Sequence, residues 1–197
     1  MSLPLAKRYT AAEYLAFERS DPDKHEFVDG DIVLQAGGSR PHALIAANVM
    51  SSLHQQLRSR ICSVFGSDMR IAIPQARRYV YTGVSVACGE AQFEDAEEDS
   101  LTNPTLVIEV LSPLTERYDR GKKFKAYQQL ASFQEYLLIA QDSVQIEHFV
   151  RQTDNLWTIE VITEPTETLA LRSIQCKLTV AEVYEKVLQL PQLDGDA

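Results

Sequence analysis

Cysteine is scarce in this chain: three in 197 residues, Cys62, Cys88 and Cys176, far apart and without a Cys-x-x-Cys pair. So small and dispersed a set argues against a zinc ribbon or a disulfide framework and favours a reducing compartment. Long apolar runs are missing too. Nothing approaches the roughly 18 residues of a spanning helix, and Met1 to Thr10 lacks the apolar stretch of a signal peptide. The expectation is a soluble, cytoplasmic protein with no membrane partner. Basic residues are the minority, 19 Lys and Arg against 28 Asp and Glu, for a net charge of −9. That excludes a histone-like binder whose whole surface attracts phosphate, but not a local basic patch. No Gly-x-Ser-x-Gly, P-loop or Gly-x-Gly-x-x-Gly occurs, and Gly37-Gly38-Ser39 lacks the lysine that follows in a phosphate loop. His42 and His54, twelve residues apart, make no helical metal pair.

What is present is an ordinary globular composition, 45% apolar and 24% charged. The length suits a single domain over residues 1–197, with a core from about 9 to 190 and a short tail over 191–197. At that size roughly 70% of the unfolded surface is buried, so the core needs neither metal nor disulfide.

Thr10-Ala-Ala-Glu13 is spaced as a capping box for a first helix that stops before Asp21-Pro22. His25 to Leu34 reads as two strands around an Asp29-Gly30 turn. Pro41 suits the first turn of a second helix, whose Ile45, Val49, Leu53 and Leu57 recur every four residues and predict a face packed on a sheet. Cys62–Phe65, Met69–Ile73 and Tyr79–Cys88 read as strands. Gly89 to Ser100 holds six acids and no base, which predicts a solvated loop. Leu106–Leu111 is apolar on both faces except for Glu109, the pattern of a central strand. Arg117–Leu130 follows as a helix or a loop leading into one, then Tyr136–Ala140 as a buried strand. Val144–Val150 and Leu156–Ile162 form a hairpin around Thr153-Asp154-Asn155. Thr179 to Leu188 closes as a helix, with Thr179 and Glu182 spaced as a second capping box. The sum is one mixed α/β or α+β sheet with helices packed on it.

Glu109 is the most informative position, because a carboxylate in an apolar strand must reach water, a cation or a donor. Either it faces out beside Ser112, or it aims into a cleft at the carboxyl end of the strand as a metal ligand. The following segment, Arg117 to Lys125, carries five bases against two acids if Glu116 is counted with it. Arg58, Arg60, Arg70, Arg77 and Arg78 make a second basic region around Asp68. Such segregated charge can guide a phosphate backbone, or can be a solvated face with local ion pairs.

Asn103-Pro-Thr-Leu-Val-Ile-Glu-Val-Leu-Ser-Pro113, followed by Tyr118-Asp-Arg-Gly-Lys-Lys-Phe-Lys-Ala-Tyr127, resembles the Uma-type restriction endonuclease family of the PD-(D/E)XK nuclease superfamily. Tyr9–Glu18, His25–Gly30, His42, Ser67–Ile71 and Tyr136–Ile139 extend the likeness over most of the chain. The resemblance implies a restriction-endonuclease-like core, a central mixed sheet flanked by helices. In such sites an Asp and a Glu on adjacent strands hold a divalent cation, magnesium or manganese. The cation polarises the scissile phosphate of DNA and acidifies the attacking water, while a lysine stabilises developing charge. Carried over, Glu109 is the metal-binding and catalytic glutamate. Lys123 takes the lysine's role from the following helix, since Leu111 stands where Glu-x-Lys would place it, and Glu26 is an acid that completes the site. Arg117, Arg120, Lys122 and Lys125 are the expected contacts to nucleic acid.

One departure cuts across these agreements. Where the family has Tyr-x-Pro-Asp-Val, this chain reads Tyr79-Val-Tyr81-Thr82-Gly83-Val84. Gly83 replaces the metal-binding aspartate, which implies weak cation binding and low or absent cleavage with the fold intact. Two readings therefore stand: a metal-dependent endonuclease, and a degenerate nuclease fold acting as a nucleic-acid-binding or protein-interaction module. A small α/β protein whose Glu109 only caps a strand is the bland third. Nuclease-like domains of this size pair to cut two strands, so a homodimer is expected, with apolar surface offered by Leu156–Val161 and the last helix. Alternatively Trp157 fills the core.

Overall fold

The computed structural model describes residues 7–35, 37–153 and 156–188. The first helix, α1 (Ala11–Glu18), opens with the predicted capping box: Thr10 Oγ1 accepts from Glu13 N–H at 3.2 Å and Glu13 Oε2 accepts from Thr10 N–H at 2.8 Å. Strands β1 (His25–Val28) and β2 (Asp31–Leu34) pair antiparallel around Asp29 and Gly30, both at positive φ (49° and 95°), the backbone that a two-residue hairpin with matching twist requires. Helix α2 (Arg40–Leu57) starts at a Ser39 cap with Pro41 in its first turn. Strands β3 (Cys62–Phe65), β4 (Arg70–Ile73), β5 (Arg78–Tyr81), β6 (Val84–Cys88), β7 (Ser100–Leu101) and β8 (Leu106–Leu111) follow.

After β8 the chain makes a helical turn, α3 (Glu116–Tyr118), a π-helical turn over Asp119–Lys123, and α4 (Phe124–Tyr127). Strands β9 (Glu135–Ala140), β10 (Ile146–Thr153), β11 (Leu156–Ile162), β12 (Thr168–Leu171) and β13 (Cys176–Thr179) lead to a last turn, α5 (Val180–Val183). The strands form a five-stranded sheet ordered β2-β1-β5-β4-β7, a six-stranded sheet ordered β11-β10-β9-β8-β6-β3, and the β12-β13 hairpin. The fold is mixed α+β: β8 lies centrally, antiparallel to β6 and parallel to β9.

Alternation along β8 explains what its two faces meet. Leu106, Ile108 and Val110 pack with Ile45, Val49, Leu53 and Leu57 of α2. Truncating one of these, as in Leu53→Ala, removes a fully buried side chain and costs about 2–5 kcal/mol. Val107 and Leu111 face the other way, onto an aromatic cluster of Tyr127, Phe133, Tyr136 and Phe149 with half-buried Phe124 and Trp157. Glu109 shares that second face.

Several expectations change. Cys62 and Cys88 face each other across β3 and β6 and are joined in a disulfide, which the cysteine count had argued against; Cys176 is free and buried. The acidic loop is not simply solvated: Asp95 and Asp99 pair with Arg19, Asp99 also pairs with Arg70, and Glu94 accepts from Tyr79 OH. The last helix is one turn, and Thr179 forms no side-chain cap. Residues 154–155 of the predicted hairpin turn, and the tail over 191–197, lie outside the described residues. Among the described residues, no helix is long and apolar enough to cross a membrane.

Candidate functional site

Four segments converge beneath the aromatic face of β8. Glu26 comes from β1, whose register with β5 covers only Phe27↔Tyr79 and Val28↔Arg78. Beyond that pairing the Glu26 carboxylate takes the Tyr81 N–H, at 3.1 Å. Glu109 comes from β8. Asp119 and Lys123 both come from the π-helical turn, in which Phe124 N–H reaches back five residues to Asp119 O. Tyr136 OH donates to that same carbonyl at 3.2 Å and ties the turn to β9. Such turns are rare and recur at functional sites.

Lys123 Nζ is the focus. It lies 2.9 Å from Glu109 Oε1, 3.3 Å from Glu26 Oε1 and 3.7 Å from Asp119 Oδ1, and it donates to Tyr81 O at 2.6 Å. Tyr127 OH donates to Glu109 Oε1 at 3.0 Å. Glu26, Glu109, Asp119 and Lys123 are all buried, none more than 8% exposed. The structure thus brings together Glu26, Glu109 and Lys123, and Glu109 faces inward rather than out beside Ser112. Asp119, Tyr81 and Tyr127 were not singled out from the sequence. The i, i+4 spacing of Asp119 to Lys123 is the one signal that pointed to the first of them.

Three carboxylates around one ammonium cannot all be ionised without leaving buried negative charge. Burial, opposed by the Lys123 charge, pushes Glu109 up to about 8. Asp119 is raised by burial as well. Burial alone would depress Lys123, but the facing Glu109, Glu26 and Asp119 outweigh it and hold the ammonium charged. Burial likewise keeps the Tyr127 hydroxyl protonated and fixed as a donor. Outside this cluster, half-buried Tyr118 lies with its ring centre 5.9 Å from Lys123 Nζ, and its hydroxyl accepts from Arg78 at 2.8 Å.

The arrangement does not fit a divalent cation. Position 83, between β5 and β6, has no side chain, and a Cβ built there would meet Ile108 O at 3.1 Å. The three carboxylates present all face the lysine. Among the described residues, no three His, Cys, Asp or Glu side chains are grouped to hold a metal.

The expected nucleic-acid contacts divide. Arg117, Lys122 and Lys125 are exposed and form no ion pair among the described residues. Arg120 is instead paired with Glu116 and Glu147. The second basic region disperses. Arg70 is buried against Asp99, Arg77 pairs with Asp29, and Arg60 donates to the Ile174 and Gln175 carbonyls.

A family model described as "Uma2: Putative restriction endonuclease" matches residues 11–181. The chain belongs to the Uma2 family. Two proteins of Synechocystis sp. (strain ATCC 27184 / PCC 6803 / Kazusa) are similar over most of their length. The uncharacterized protein slr1290 is 35% identical over 172 residues, covering 87% of this chain and 89% of its own. The uncharacterized protein sll1609 is 36% identical over 159 residues, covering 81% and 90%. The fold matches the crystal structure of a "putative nuclease belonging to DUF820" from Anabaena variabilis ATCC 29413, with a TM-score of 0.72 at 19% identity over 91% of this chain and 99% of that one. This Uma2 chain therefore has a restriction-endonuclease-like fold.

Proposed function

We propose that this Uma2 protein is a nuclease-fold DNA-binding module in which metal-dependent hydrolysis of phosphodiester bonds is impaired. The observation that carries the reading is the closed ion cluster: Glu26, Glu109 and Asp119 all face Lys123 Nζ, and Gly83, between β5 and β6, supplies no carboxylate. A lysine that donates to Tyr81 O and faces Glu109 is not free to steady a phosphate, and the missing acid leaves magnesium or manganese without its usual second strand ligand. Binding is assigned to Arg117, Lys122 and Lys125, exposed on the same segment that carries Lys123. With a net charge of −9 the rest of the surface repels DNA, so affinity is modest and steeply salt-dependent.

The test has two arms. Supercoiled plasmid incubated with magnesium or manganese is expected to stay intact to the level of a Glu109→Gln control. Fluorescence anisotropy with duplex DNA is expected to show binding that weakens by about tenfold or more when Arg117, Lys122 and Lys125 are all changed to Glu. Cleavage by the unaltered protein that disappears in Glu109→Gln replaces this reading with that of an active endonuclease. Unchanged DNA affinity in the triple variant removes the basic segment as the contact.

A homodimer through the β11 edge is part of the proposal. Leu156, Ile159 and Val161 are 56–59% exposed along a seven-residue edge strand with a single charged residue, Glu160. Edge strands of monomers usually carry charge or proline against such pairing. Light scattering is expected to give about twice 22.2 kDa, and Ile159→Lys to return it to that value.

A further inference from the structure

Cys62 opens β3, Cys88 ends β6, and the disulfide between them closes a ring over residues 62–88. Inside that ring the chain leaves the six-stranded sheet after Phe65, forms β4 and β5 of the five-stranded sheet, and returns at Val84. The ring therefore carries Tyr81, whose N–H is held by Glu26 and whose carbonyl accepts from Lys123. Its two ends have little else to fasten them. Strand β3 is the outermost of its sheet, four residues long, with β6 as its one sheet neighbour among the described residues. Beyond that ladder there is the Gly89 N–H bond to Ile61 O at 2.7 Å. Cys62 and Cys88 are half-buried rather than sealed in the core, and Ile61, Ser63 and Gly89 beside them are exposed. A chain of this length needs no staple to form its core, and one bond beside a free, buried Cys176 is no disulfide framework. Disulfides open to solvent are the labile and regulatory ones.

We propose that Cys62 and Cys88 form a reversible thiol–disulfide switch that sets how firmly the 62–88 ring, and through Tyr81 the Lys123 cluster, is held. The co-reactant is a dithiol. One of its thiolates attacks a sulfur of the Cys62–Cys88 bond, forming a mixed disulfide, and the other cysteine leaves as a thiolate that takes a proton. The second thiol of the reagent, deprotonated, then attacks its own sulfur in the mixed disulfide. The reagent closes to a disulfide, and the remaining cysteine leaves and is protonated. Two electrons and two protons pass to the protein, and an oxidised dithiol reverses the exchange. Opening the ring returns conformational freedom to the unfolded chain and lowers stability. It also leaves the Cys62–Phe65 edge to fray from β6, the kind of local opening that few hydrogen bonds oppose. The inference goes beyond the DNA-binding reading and does not depend on it.

The experiment compares the full chain after incubation with oxidised and with reduced dithiothreitol, in the absence of denaturant. Samples are then quenched and unfolded to count thiols. One thiol, that of Cys176, is expected in the oxidised protein and three in the reduced protein, with a return to one on reoxidation. Reduction is expected to lower the thermal midpoint by about 5 °C or more. Amide exchange is expected to rise about tenfold or more in residues 62–65 and 85–88, and by a smaller factor at the Tyr81 N–H. The pair Cys62→Ser with Cys88→Ser is expected to match the reduced protein and to ignore the reagent. Should that variant fail to fold, reduction of the unaltered chain still decides the matter. A bond that yields to dithiothreitol only in denaturant is a fixed staple and overturns the proposal. Equal midpoints and equal exchange in the two redox states overturn it as well. So does an effect that stops at β3 and β6 and leaves the Tyr81 amide unchanged, because the switch then has no hold on the cluster.

Discussion

Strands β8 and β9, the parallel pair at the centre of the larger sheet, each bury a glutamate, and the two are handled in opposite ways. Glu135 opens β9 opposite Leu106 and lies on the α2 face. It is 0% exposed, and every close donor comes from one turn: Arg172 N–H at 2.8 Å and Ser173 N–H at 3.2 Å to Oε1, and Ser173 Oγ at 3.0 Å to Oε2. Glu109 sits opposite Leu138 on the aromatic face, and its partners, Tyr127 OH and Lys123 Nζ, come from separate elements. A carboxylate fully served by neutral donors of one turn is a fastener for that turn. A carboxylate sharing one cation with two other acids is an arrangement that costs stability and persists for another reason. The comparison teaches that burial of a glutamate is not by itself a sign of a site; the sharing of a cation among distant segments is.

The sharpest way to break the comparison is to remove the cation. Lys123→Met leaves Glu26, Glu109 and Asp119 buried without a counter-charge and is expected to cost about 3–5 kcal/mol in urea denaturation. A cost under about 1 kcal/mol would mean that the three acids simply take up protons, and that charge balance around Lys123 does not matter.

Next is the pH dependence. Glu109 is raised from 4.5 to about 8 in the folded protein, so the folded state holds a proton that the unfolded state has released. Stability is therefore expected to fall as pH rises from the unfolded value of 4.5 through about 8, by an amount on the order of a few kcal/mol. Glu109→Gln keeps an oxygen for Tyr127 and Lys123 but carries no proton to lose, and is expected to flatten the profile over that window. An unchanged slope in the variant would assign the proton to another acid of the cluster.

Much of the frame was legible because local chemistry agreed with the final structure. Thr10 and Glu13, Asp29-Gly30, Pro41 and the four-residue spacing of Ile45 to Leu57 each act within a few residues of themselves. The Leu106–Leu111 pattern identified a central strand, and the family likeness tied Glu109 to Lys123 across fourteen positions. What was not legible is long-range pairing. Nothing in Cys62 or Cys88 announces that β3 and β6 set them face to face. Nothing in the run of acids after Gly89 shows that Arg19 and Arg70 will claim two of them. The short β12–β13 hairpin, in which Thr168 to Leu171 alternates exposed and buried, leaves no readable pattern because four residues are too few for periodicity to register. Asp119 reads in the sequence as one member of a charge run; its i, i+4 spacing puts it on one face with Lys123, but nothing local shows that this face is turned inward.

A smaller effect tests the other glutamate. Glu135→Leu leaves the Arg172 and Ser173 amides and the Ser173 hydroxyl without an acceptor, an expected cost of about 2 kcal/mol. This loss should be confined to the 172–173 turn, which amide exchange would show by faster exchange at those two residues.

The smallest expected effect concerns His148, whose Nε2 is 3.7 Å from Glu135 Oε1, too far for a hydrogen bond, and has no other partner among the described residues. The ring is 3% exposed and lines a cleft of about 330 Å³ between β10, β11 and β12. Were Glu135 dependent on a cation as Glu109 is, His148 would be the residue to supply it, and its loss would cost several kcal/mol. The backbone donors make that unnecessary. His148→Phe preserves an aromatic ring of similar breadth and removes an unpaired polar atom, so the change is expected to lie within about 1 kcal/mol of zero and to tend toward stabilisation. A loss above about 2 kcal/mol in denaturant titration would show instead that Glu135 draws on His148 as its counter-ion. The two glutamates would then differ in degree and not in kind.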